Sequence, residues 1–70
     1  MTDLRSLVGS AFRDARKAAG LSQASAAEAL GMSQPGLSQL EAGKTSPTVA
    51  TVYAAAEVYE VTPGDLLPPA

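Results

Sequence analysis

Four side chains in one short stretch, GMSQPGLSQLEAGK (residues 31–44), are neutral hydrogen-bonding types: Ser33, Gln34, Ser38 and Gln39. A glutamine amide sets a donor beside an acceptor, and a serine hydroxyl does both jobs from one atom. Side chains of this kind read the edges of other hydrogen-bonding groups. The chain has no histidine and no cysteine, so the commonest acid–base catalyst, the commonest metal ligand, a thiolate zinc site and a disulfide framework are all missing. No nucleophile–base pair stands out among the remaining residues, so an enzyme is the least favoured class and no cofactor is expected.

The stretch needs elements to position it. Leu4, Val8, Ala11, Phe12, Ala15 and Ala19 recur at helical spacing and predict a first helix over about 3–19, stopped by Gly20. Ser22 reads as the N-cap of a second helix, with Ala26, Ala27 and Leu30 inward and Gly31 as its stop. Ser33 reads as the next N-cap, with Met32 stapled to Leu37. Pro35 then falls at N2, where its missing N–H costs little. Proline also pushes Gln34 away from α geometry, so this third helix is expected to leave Gln34 half outside and to run to about Ala42, before Gly43. Thr48 is the preferred cap of a fourth helix, with Ser46 the alternative, and Val49, Val52, Tyr53, Ala56 and Tyr59 its expected inner face. Thr62, Pro63 and Asp65 open a short fifth helix, with Val61 stapled to Leu66.

Seventy residues make one small domain, spanning 1–70 with its core over about 4–67. Aromatics are limited to Phe12, Tyr53 and Tyr59, so the core must come from small residues, which suits closely approaching helices. No apolar run is long enough for a membrane span and no signal peptide opens the chain, so the expected location is the cytoplasm, without a membrane partner. Net charge is −2, which argues against indiscriminate attraction to polyanions. All five cations (Arg5, Arg13, Arg16, Lys17, Lys44) lie in residues 1–44 with four acids, whereas residues 45–70 carry three acids and no cation.

Two short helices joined by a glycine-containing turn of three or four residues form a helix-turn-helix unit. Its second helix enters the DNA major groove with its N-terminal residues nearest the bases. That geometry turns Gln34, Gly36, Ser38 and Gln39 outward and Leu37 and Leu40 inward. Glutamine matches adenine N6 and N7, and Pro35 and Gly36 permit close backbone approach or contact with a thymine methyl. Taken singly, the same polar residues are also consistent with solvated surface.

The stretches AFRDARKAAGLSQ, AAEALGMSQPGLSQLEAGK and SPTVATVYAAAEVYEVTPGDLL, covering nearly the whole chain, resemble the Cro/C1-type (XRE) helix-turn-helix proteins of bacteria and phages. The resemblance implies an all-α, five-helix, lambda-repressor-like bundle with the motif in helices 2 and 3. It implies base contacts from Gln34 and Gln39, with Ser38 beside them, and the helix start adds Pro35 and Gly36 to the expected base-facing set. It implies that Gln23 holds a phosphate, that Arg16 and Glu41 form a partly buried ion pair, and that Lys44 and Thr45 after Gly43 meet the DNA backbone. Ala26 stands where the family usually has leucine, Gln39 where arginine is common, and Ala42 where arginine or asparagine is common.

The full expected phosphate set adds Ser22 and Ser33 at the helix starts and the cations Arg13, Arg16 and Lys17. One such reading head spans few base pairs, so a homodimer on an inverted-repeat operator is expected, acting as a transcriptional regulator of the repressor type. Val58, Tyr59, Val61 and Leu67 are the expected interface residues. The competing reading is an antitoxin-like or adaptor module that offers the same helical surface to a protein partner.

Overall fold

The computed structural model describes residues 3–67. Among them are four α-helices, α1 (Leu4–Ala18), α2 (Gln23–Leu30), α3 (Gln34–Glu41) and α4 (Val49–Tyr59), followed by a 3₁₀ turn over Pro63–Leu66. The expected fifth α-helix is therefore corrected to a single tight turn. Thr62 N–H donates to Asp65 Oδ2 at 3.0 Å and starts it, but Leu67 is already extended (φ −115°, ψ 141°). Leu67 precedes Pro68 in the sequence, and a residue before proline is disfavoured in α geometry.

Each α-helix opens on a side-chain cap that withdraws an orphan N–H from the competition for water. Asp3 accepts from Arg5 N, Ser22 from Ser25 N, Ser33 from Gly36 N and Thr48 from Thr51 N, each at 3.1 Å. Gln34 lies inside α3 as its first residue, which corrects the expected late start; the Ser33 cap and the Leu37 N–H to Ser33 carbonyl bond hold the turn closed. The helix ends at Glu41, with Ala42 as its C-cap rather than its last residue. α2 stops at Gly31, whose φ of 69° lets Met32 N–H bond back to the Ala27 carbonyl at 2.8 Å.

Phe12, Leu37, Leu40 and Leu66 are the large side chains wholly buried at the centre, surrounded by Val8, Ala26, Ala27, Val52, Ala55, Ala56 and Tyr59. The expected inner face of α4 needs rotating. Val52, Ala56 and Tyr59 are buried and Ala55 joins them, but Val49 and Tyr53 are 73% and 62% exposed. Leu30 is only half-buried, and Leu4, counted on the inner face of α1, is 62% exposed. α3 packs on α1 and α2, and α4 packs on α2, α1 and the 3₁₀ turn. The α1–α3 approach is close: a Cβ on Gly9 would lie 2.6 Å from the Leu40 carbonyl oxygen and 2.7 Å from that of Glu41. Among the described residues no helix is long and apolar enough to cross a membrane.

Candidate nucleic-acid interface

The two-helix unit is present as α2, the turn Gly31–Met32–Ser33, and α3. Its apolar residues face the bundle: Leu37 and Leu40 are buried and Met32 packs on the core from the turn. Helical periodicity then leaves Gln34, Pro35, Ser38 and Gln39 exposed on the other side of α3. Gly36 is half-buried, with the Ser33 Oγ 3.0 Å from where a Cβ would sit, so it contributes a thin surface and little outward reach. The exposed face carries no charge over Gln34–Gln39.

What fixes α3 in place is a buried polar cluster. Arg16 on α1 forms a two-pronged pair with Glu41 at the end of α3: Nε donates to Oε2 at 2.7 Å and Nη2 to Oε1 at 3.0 Å. Arg16 Nη1 donates to the Leu21 carbonyl at 2.9 Å, and Gln23 Nε2 donates to Glu41 Oε1 at 3.0 Å. One carboxylate thus ties α1, the start of α2 and the end of α3. Paired prongs of this kind fix direction as well as distance. Their hydrogen bonding and the Glu41 charge hold the Arg16 guanidinium above its ordinary pKa, against the opposing effect of burial. Nearby, the Tyr59 hydroxyl is buried without a hydrogen-bond partner among the described residues. Burial first, and the Glu41 charge second, raise its pKa.

This cluster bears on one expected phosphate contact. Arg16 is buried and each of its three nitrogens donates to a protein acceptor, which leaves it less available to a polyanion than the exposed cations. Arg13 and Lys17 on α1 are exposed, four residues apart and hence on one helix face, and Lys44 and Thr45 are exposed just after Gly43. Ser22 and Ser33 are exposed but their oxygens already cap α2 and α3. Gln23 is half-buried with one amide hydrogen committed to Glu41, a bond that spacing alone did not announce. Of the expected interface residues, Tyr59 is buried in the core and is withdrawn; Val58 and Val61 are half-buried against that core, and Leu67 is exposed. Gly9, silent in the sequence reading, turns out to set how closely α1 meets α3.

A helix-turn-helix family model, HTH_3, matches residues 12–66. An uncharacterized HTH-type transcriptional regulator, y4dJ of Sinorhizobium fredii (strain NBRC 101917 / NGR234), is 42% identical over 67 residues, covering 96% of this chain and 87% of its own. Among solved structures, the clp gene regulator ClgR from Corynebacterium glutamicum superposes with a TM-score of 0.88 at 26% identity, over 93% of this chain and 69% of that one. The restriction-modification controller protein C.AhdI from Aeromonas hydrophila shares the fold, with a TM-score of 0.83 at 24% identity over 90% and 96% of the two chains. With an exposed polar α3 locked onto α1 and α2, and with this match over most of its length, the chain belongs to the HTH_3 family of helix-turn-helix proteins, the Cro/C1 (XRE) type, a family of DNA-binding transcriptional regulators.

Proposed function

We propose that the protein is a sequence-specific regulator that binds an inverted-repeat operator as a homodimer and represses by occupying it. The observation that carries this reading is the uncharged, exposed face of Gln34, Ser38 and Gln39 on a helix held at its far end by Arg16 and Glu41. An amide beside a purine edge discriminates bases, whereas a lysine or arginine in its place would also attract any phosphate. In this reading α3 lies in the major groove, Gln34 and Gln39 reach base edges, and Ser38, Pro35 and Gly36 flank them. Ser22, Gln23, Ser33, Lys44 and Thr45, with Arg13 and Lys17 on α1, line the sugar–phosphate backbone. A fixed helix gives two such heads a fixed spacing, which a two-fold pair of half-sites one helical turn apart would match.

The modest number of free cations also favours a second reading, in which the exposed helical surface meets a protein and DNA binding is secondary. Selection from a pool of random duplexes with purified, folded protein separates the two. The regulator reading expects an enriched motif with two-fold symmetry. Absence of any enrichment at low salt would remove it and leave the protein-partner reading.

A further inference from the structure

Four of the five large apolar side chains exposed among the described residues lie together. Leu4, Val49, Tyr53 and Leu67 all line one open groove of about 460 Å³ between the start of α1, the loop at Pro47, α4 and the 3₁₀ turn. Clustered apolar side chains rimmed by polar residues are the kind of surface through which a small domain can make a contact. None of the lining residues belongs to α2 or α3, so whatever covers the groove leaves the polar face of α3 free.

We propose that the groove is the contact between two copies of this chain, with their α4 helices crossing antiparallel at Tyr53; this rests on the homodimer reading and locates its interface. The charges of this one sequence complement each other across such a contact. Val49, Tyr53 and Glu57 follow one another at intervals of four residues and are all exposed, so they form one stripe along α4. Among the described residues Arg5 is the only charged one lining the groove, and it does so with Val49 and Tyr53. A two-fold axis at Tyr53 sets Glu57 of one copy opposite the partner's Val49, because the two lie equally far from Tyr53 along the helix. The carboxylate of Glu57 therefore faces the partner's Arg5, and symmetry makes the same pair again on the other side. Asp3, close to Arg5, is turned back onto the Arg5 backbone N–H as the α1 cap. The apolar centre with Tyr53 and a charged rim is the anatomy of a self-associating surface. It also accounts for the exposure of Tyr53 and Val49, the two large apolar side chains that α4 leaves in water.

Sedimentation equilibrium on five full-length proteins tests this: wild type, Tyr53→Glu, Arg5→Glu, Glu57→Arg and the double swap Arg5→Glu/Glu57→Arg, each checked for folding by circular dichroism. The expected results are a wild-type dimer and a dimer dissociation constant raised about a hundredfold or more in Tyr53→Glu, as for a central aromatic anchor. Each single charge reversal should raise it about tenfold, since two rim pairs become repulsive, and the double swap should restore it. A wild-type dimer that persists unchanged in Tyr53→Glu would overturn the location while leaving the homodimer reading intact. Loss of the dimer in Tyr53→Glu with no restoration by the double swap would overturn the antiparallel crossing. A wild type that is monomeric at high concentration, both free and on its selected DNA, would overturn the homodimer reading itself.

Discussion

Glu41 is the residue on which the position of α3 depends. It accepts from Arg16 twice and from Gln23 once while almost wholly shielded from water. A buried pair is weak evidence of net stabilisation, yet breaking one by removing a single partner is costly because the other charge is stranded. Glu41→Gln should therefore cost about 3 kcal/mol or more, a large share of what a domain this small has to spare. Arg16→Met combined with Glu41→Met should recover much of that loss, because packed apolar side chains replace the pair without stranding a charge. Urea unfolding midpoints of the single and double variants check both statements; a single variant as stable as wild type would mean the pair does not hold the helices. At this scale the sequence was partly legible. The Arg16–Glu41 pair followed from the family resemblance, but its full extent did not: the guanidinium also donates to the Leu21 carbonyl and lies buried, which turns it toward the bundle. The Gln23–Glu41 bond was illegible because it joins residues eighteen apart, which only the packing of α2 on α3 brings together.

Among elements, the ends were easier to read than the faces. Ser22, Ser33, Thr48 and the glycine stops are local chemistry, so the starts of α2, α3 and α4 stand close to where caps put them. The inner face of α4 was misjudged for a physical reason. Val49, Ala50, Val52, Tyr53, Ala54, Ala55, Ala56, Val58 and Tyr59 make that helix apolar nearly all round, and periodicity then selects no face. The tertiary partners α1 and α2 choose it instead. The end of α4 departs from the glycine pattern, since Glu60 occupies the left-handed region (φ 57°, ψ 45°) that a side chain disfavours. Val61 N–H nonetheless bonds back to the Ala56 carbonyl at 2.9 Å, so the turn itself is well made. Glu60→Gly should relieve the strain and stabilise the fold by about 0.5–1 kcal/mol, net of the added freedom of the unfolded chain. Thermal unfolding by calorimetry or circular dichroism reads this as a higher midpoint; a lower one would mean the Glu60 conformation carries no strain.

For the molecule as a whole, the decisive quantity in the proposed function is how little positive charge it brings to DNA. With Arg16 engaged by Glu41 and Arg5 at the groove, the cations that the proposed reading sets on the backbone are Arg13, Lys17 and Lys44. At about 0.9 counterions released per neutralised phosphate, the slope of log K against log salt should be near −3 per subunit. Anisotropy titrations over a range of salt concentrations check this, and a slope several units steeper would mean that cations outside this set, or repositioned Arg16, reach the backbone. A slope this shallow would throw more of the affinity onto base reading by α3. The central claim is that Gln39 and its neighbours on α3 read bases, and the most direct measurement is a comparison of the sites selected from random duplex DNA by wild type and by Gln39→Ala. Both proteins should enrich the same two-fold motif, with preference relaxed at one symmetry-related position per half-site in the variant, at a discrimination cost of about 1–3 kcal/mol. Identical motifs with identical preferences would contradict that claim.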